Sequence, residues 1–168
     1  MTFTSENKRN KSRLLCFLCS PVGLLRLSSI LLVGLMVGHM SAYPWSTHGI
    51  QETQLVDSMK TLQFEFMGEH SSYWSLYFGW GLWMGVSLMT LAIILWLLAD
   101  LARVAPRRVG VITAVISASC LIGAYLSLRF FYIPPVLFYS VICVMLLTVA
   151  VQLLRQQTMF ADGKTEKL

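Results

Sequence analysis

Apolar residues in this chain fall in long unbroken blocks rather than at alternating intervals. Four windows, about Leu24 to Tyr43, Tyr73 to Leu98, Val109 to Leu128 and Pro135 to Leu154, carry almost no charge. Each is close to the roughly 20 apolar residues that an α-helix needs to cross a hydrocarbon core about 30 Å thick. A backbone in lipid must satisfy its own N–H and C=O groups, so these windows are helices; a closed barrel would need short alternating strands, a pattern they do not show. The pattern predicts an all-α fold, a transmembrane four-helix bundle running up-down-up-down over residues 24–155, with tails at 1–23 and 156–168.

The connections differ in length. Ala99 to Arg108 and Arg129 to Pro134 are short, which makes consecutive helices antiparallel neighbours. Residues 44–72 form the only sizeable extramembrane segment. There Ile50, Leu55, Val56, Met59, Leu62, Phe64 and Phe66 have loosely helical spacing, so the segment is expected to form a short amphipathic helix on the outer surface, its acids facing water.

Composition agrees with lipid as the main solvent. The chain is 56% hydrophobic and only 12% charged, against about 25% charged in soluble domains. Its net charge of +5 does not point to nucleic acid, because the basic residues bracket the helices. Eleven lie on one side: Lys8, Arg9, Lys11, Arg13, Arg26, Arg103, Arg107, Arg108, Arg155, Lys164 and Lys167. The other side holds Lys60 and Arg129, with Glu52, Asp57, Glu65 and Glu69 beside them. The positive-inside rule then places both termini in the cytoplasm, and an odd number of helices would break the split. A cleaved signal peptide is the rival for the first window, but its apolar part is long and Met40 is a poor small residue before Ser41-Ala42. Cys16 and Cys19 fall on the reducing side, and Cys120 and Cys143 fall mid-helix, so no disulfide framework is expected.

Helix two opens with an aromatic cluster. Tyr73, Trp74, Tyr77, Trp80 and Trp83 are read as anchors at the headgroup level of the outer face. Gly81 with Gly85, and Gly34 with Gly38 in helix one, are small-xxx-small pairs that let helix backbones approach closely, so these four are the expected helix-packing positions. Pro134 and Pro135 read as the start of helix four.

Polar groups near the membrane are the candidates for chemistry. Asp100 sits at the inner end of helix two, where it can pair with Arg103 or Arg107. His39, Glu65, Glu69, His70 and Arg129 all belong toward the outer face, and together they have the parts of an acid/base site. They match no metal-ligand spacing, and a haem bundle would want paired intramembrane histidines, so neither metal nor cofactor is expected. Disulfide-oxidase bundles need cysteine pairs on the oxidising face, and small multidrug transporters need a carboxylate in helix one; neither is present.

Phe64-x-Phe66-x-Gly68, Ser72-Tyr73-Trp74-x-x-Tyr77-x-Gly79-x-Gly81 and Phe130-Phe131-x-x-Pro134 resemble a family of small, uncharacterised bacterial four-helix integral membrane proteins, over roughly residues 30 to 155. In that family an arginine and an aspartate often flank the aromatic stretch, where Ser71 and Ser75 stand here. The resemblance implies the fold and a bacterial inner membrane, and supplies no activity or catalytic residue. The function expected from the sequence is a non-enzymatic bundle that binds membrane lipids, other membrane helices or a second copy. The alternatives are a small enzyme acting on an apolar substrate at the outer mouth and, lowest, a transporter.

Overall fold

The computed structural model describes residues 19–42 and 49–165. The basic tail, Cys16 and the stretch 43–48 lie outside the described residues. Seven elements follow in order: α1 (Pro21–Ala42), α2 (Ile50–Thr61), β1 (Gln63–Phe66), β2 (Glu69–Ser72), α3 (Tyr73–Leu101), α4 (Pro106–Phe130) and α5 (Ile133–Thr165). Four of them are long and apolar enough to cross a membrane: Pro21–Ser41, Tyr73–Leu101, Pro106–Phe130 and Ile133–Gln156. Even the shortest, at 21 residues, spans about 30 Å at about 1.5 Å per residue. The chain is an all-α membrane protein, and the four apolar windows are its four long helices.

Local chemistry sets the helix ends. Ser20 Oγ accepts the Gly23 N–H at 3.1 Å, and Pro21 follows at the first helical position, where its missing donor is not needed. Pro106 starts α4 in the same way. Ser72, the last residue of β2, caps α3: its Oγ accepts the Ser75 N–H at 3.1 Å. The link between α3 and α4 is only residues 102–105, closed by Val104 and Ala105 N–H groups on the Leu101 carbonyl.

The extramembrane segment corrects the sequence expectation. A helix is present, α2, but it ends at Thr61, and Phe64 and Phe66 lie on a two-stranded antiparallel hairpin instead. The register pairs Gln63 with Ser72, Phe64 with Ser71, Glu65 with His70 and Phe66 with Glu69. Met67 and Gly68 turn the chain at φ 54° and 87°, the two positive angles of a type I′ hairpin turn. Gln63-Phe64-Glu65-Phe66 has period 2, the strand period, and loosely helical spacing was the wrong reading of it. The α2 helix buries none of its residues; Val56 and Met59, three apart on one face, are half-exposed.

The described residues divide into two compact units, those up to Val33 together with those from Leu91 onward, and those between Gly34 and Thr90. In the first, Leu25, Leu32, Leu95, Ile142, Leu146 and Val149 are fully buried, one or more from α1, α3 and α5. The α4 helix turns a stripe of Val109, Gly110, Thr113, Ser117, Cys120, Ala124 and Ser127 inward. Small residues at that spacing bring backbones close, which in lipid replaces the hydrophobic drive with dispersion contact. A Cβ on Gly110 would stand 3.1 Å from Leu154 Cγ, and one on Gly123 would stand 3.2 Å from the Tyr139 ring. Hydroxyls add interhelical hydrogen bonds: Ser29 Oγ donates to the Ala92 carbonyl at 2.7 Å and Ser117 Oγ to the Cys143 carbonyl at 3.0 Å. Each is worth about 0.6 kcal/mol on average in a membrane bundle.

In the second unit α1 and α3 also run antiparallel. Gly81 and Gly85 are buried, and the Met40 thioether lies 2.7 Å from where a Cβ of Gly85 would be. Gly34 and Gly38 behave differently: both are exposed, and a Cβ on Gly38 would meet nothing within 4 Å.

Candidate functional site

The hairpin end of the second unit carries most of the expected chemistry. His39, near the end of α1, is half-buried, and its Nε2 lies 2.9 Å from the Gly81 carbonyl oxygen. A carbonyl only accepts, so Nε2 carries the proton in this contact and His39 ties α1 to α3. Glu65 and His70 face each other across the hairpin, and Glu69 sits beside the turn; all three are exposed. In the other unit, Arg129 is exposed with its guanidinium carbon 5.5 Å from the Phe130 ring centre. The structure thus brings Glu65 and His70 together and leaves Glu65, Glu69, His70 and Arg129 in the open. Among the described residues no group of three or more His, Cys, Asp or Glu side chains is placed to hold a metal ion.

The aromatic start of α3 forms a continuous surface. Phe64 packs on Tyr73 with ring centres 4.9 Å apart, Trp74 meets Tyr77 at 6.1 Å and Phe78 at 5.9 Å, and the Lys60 ammonium lies 5.6 Å from the Trp74 ring. One helical turn on, Gly79, Trp80 and Trp83 line an open apolar recess of about 270 Å³. Both tryptophans are 68% exposed. Rings with one wet edge and one apolar face favour a headgroup level.

A polar arrangement in the first unit was not anticipated as a site. Arg26 donates from Nη2 to Asp100 Oδ1 at 3.1 Å and lays its guanidinium over Trp96 at 5.2 Å. Asp100 therefore pairs with Arg26, not with Arg103 or Arg107. The reason is geometric: Arg26 lies six residues into an apolar span, where an acid on the adjacent helix is its nearest counter-charge. Asp100 also stands at the carbonyl end of α3, which has no basic residue in its last turn, so Arg26 offsets an unfavourable dipole contact. Gln152 Nε2 donates to the Cys19 carbonyl at 3.3 Å. Arg26 Nε, Ser28 Oγ and Gln152 Oε1 are buried with no hydrogen-bond partner among the described residues. An arginine inside the first window with an aspartate closing the second was the sequence signal for this pair.

One face of α1 is exposed among the described residues. Ile30, Gly34, Val37, Gly38 and Ser41 are all exposed, and at about 100° per residue they fall within one arc of roughly 100°. Leu32 and Leu35, toward the opposite side, are buried. Of the four motif glycines, Gly81 and Gly85 are buried against α1, while Gly34 and Gly38 open outward. Comparison of the chain with protein-family models, with curated proteins and with solved structures gives no match.

Proposed function

We propose that this protein is a non-enzymatic membrane bundle that associates laterally with another transmembrane helix, in the first instance that of a second copy, through the Gly34 and Gly38 face of α1. The observation that carries this reading is the exposure of a Gly-xxx-Gly pair flanked by Ile30, Val37 and Ser41. A glycine in a helix interior is destabilising by roughly 0.5–1 kcal/mol relative to alanine, so two at this spacing on a lipid-facing surface weaken the helix without return unless a backbone packs there. A Gly-xxx-Gly seam is self-complementary, which suits a two-fold pair of identical copies. In this reading both termini lie in the cytoplasm, as the eleven-to-two division of basic residues implies, and the membrane is the bacterial inner membrane that the family resemblance implies.

The recess at Gly79, Trp80 and Trp83 favours a second reading, lipid binding at the headgroup level. The two are separated by reconstituting the full chain in bilayers at falling protein-to-lipid ratio and counting copies by single-molecule photobleaching. Pairs that persist at high dilution and vanish in Gly34→Leu support helix docking. Single copies at every ratio would reject docking and leave lipid binding.

A further inference from the structure

We propose that the tip of the β1–β2 hairpin, Phe66 and Met67, inserts into the lipid headgroup region beside the start of α3 and acts as a second membrane anchor. Met67 carries the first sign. It occupies a left-handed backbone position, φ 54°, in a turn type whose first central residue is ordinarily asparagine, aspartate or glycine. A long apolar side chain there is both strained and 90% exposed, with Phe66 next to it at 64%. Water gives no reason to place methionine at that corner, whereas an apolar surroundings does.

The hairpin's faces give the second sign. Side chains alternate along a strand, so the register puts Phe64, Phe66, Ser71 and Glu69 on one face and Gln63, Glu65, His70 and Ser72 on the other. The first face is the one that meets the membrane helix, because the Phe64 ring packs on Tyr73. The second face carries the hydrogen-bonding groups and one carboxylate opposite an imidazole. Glu69 lies on the same face as Phe66, beside the tip, and a hydrated headgroup layer would accommodate its carboxylate.

The third sign is covalent placement. Ser72 ends β2 and caps α3, so no linker separates the hairpin from a helix whose first turns bear Tyr73, Trp74 and Tyr77. Four residues of strand reach only about 13 Å, which keeps the tip within the headgroup zone if it lies along the bilayer. Lys60, stacked on Trp74, supplies a cation at the same level for lipid phosphates. Lipid accounts for the apolar tip, the aromatic base and this cation together; a protein partner would account for the tip alone.

The test uses the full chain with its native cysteines replaced by serine, in vesicles of phosphatidylethanolamine and phosphatidylglycerol. A spin label is placed at Met67→Cys or at Glu65→Cys, and its collision rates with oxygen and with a water-soluble nickel chelate are compared. The expected oxygen-to-nickel ratio is several-fold higher at position 67 than at 65, unchanged on diluting the protein in lipid. Equal ratios at the two positions would overturn the proposal, and so would a high ratio that falls on dilution, which would mean a protein partner. Met67→Asn supplies the relaxed turn without the apolar side chain. Its expected result is faster proteolysis at the tip in vesicles and an unchanged rate in detergent-free, lipid-depleted polymer particles; slower cleavage in vesicles would assign Met67 a purely structural part.

Discussion

Gly38 distinguishes a helix face built for another chain from one wasted on lipid. A Cβ added there meets nothing within 4 Å, so Gly38→Ala should fit the isolated chain without rearrangement. Removing a helix-interior glycine should even stabilise the monomer, by about 0.5–1 kcal/mol. Gly38→Leu should likewise leave the monomer folded, since its side chain extends into the same open space. The effect on association is opposite in sign. A leucine holds two backbones apart and removes on the order of 20 close atom pairs at roughly 0.15 kcal/mol each, about 3 kcal/mol, or roughly a hundredfold in dissociation constant. The assay is paired: unfolding by denaturing detergent followed by tryptophan fluorescence, and Förster transfer between labelled copies in bilayers diluted with lipid. A destabilised Gly38→Leu monomer would mean that the face is packed within the chain. Unchanged transfer with normal stability would mean that it meets only lipid. Either result refutes the reasoning.

Gly123 should respond the other way: a Cβ there is already 3.2 Å from the Tyr139 ring, so Gly123→Leu overpacks the α4–α5 seam and should lower stability by about 1–3 kcal/mol in the same detergent titration. Ser72→Ala removes the cap of α3 and should lower stability by about 1 kcal/mol, with hydrogen exchange accelerated at Tyr73 to Ser75 only. Arg26→Ala leaves Asp100 alone at the carbonyl end of α3; loss of a part-exposed ion pair and of the Trp96 stack should total about 1–2 kcal/mol, and the double variant with Asp100→Asn should recover part of it.

The fold was legible because lipid imposes a coarse rule: about 20 apolar residues make a span, and charge stops it. The α1 and α5 helices nevertheless run beyond their apolar windows, to Pro21 and Thr165, since helix propensity and the Ser20 cap continue where hydropathy ends. The hairpin escaped notice because Phe64 and Phe66 also fit a loose helical spacing; the deciding signs were the strict alternation of Gln63 to Phe66 and Gly68 after it. Side-chain pairing was least legible. Asp100 has two arginines nearby in sequence, Arg103 and Arg107, yet binds Arg26, 74 positions away, because Arg26 lies within the apolar span of the adjacent helix. The five candidate polar residues, His39, Glu65, Glu69, His70 and Arg129, had composition in their favour and nothing in spacing. The structure gives His39 a structural hydrogen bond and leaves Glu65, Glu69, His70 and Arg129 exposed.

Cysteine crosslinking along α1 tests helix docking most directly. Single cysteines at Gly34, Gly38 or Met36, in the full chain freed of its native cysteines, are oxidised in native membranes with copper phenanthroline. Docking through the glycine face predicts covalent dimers from positions 34 and 38 and few from Met36, which lies on the far side of the helix. Equal yields at the three positions, or none at 34 and 38, would contradict it.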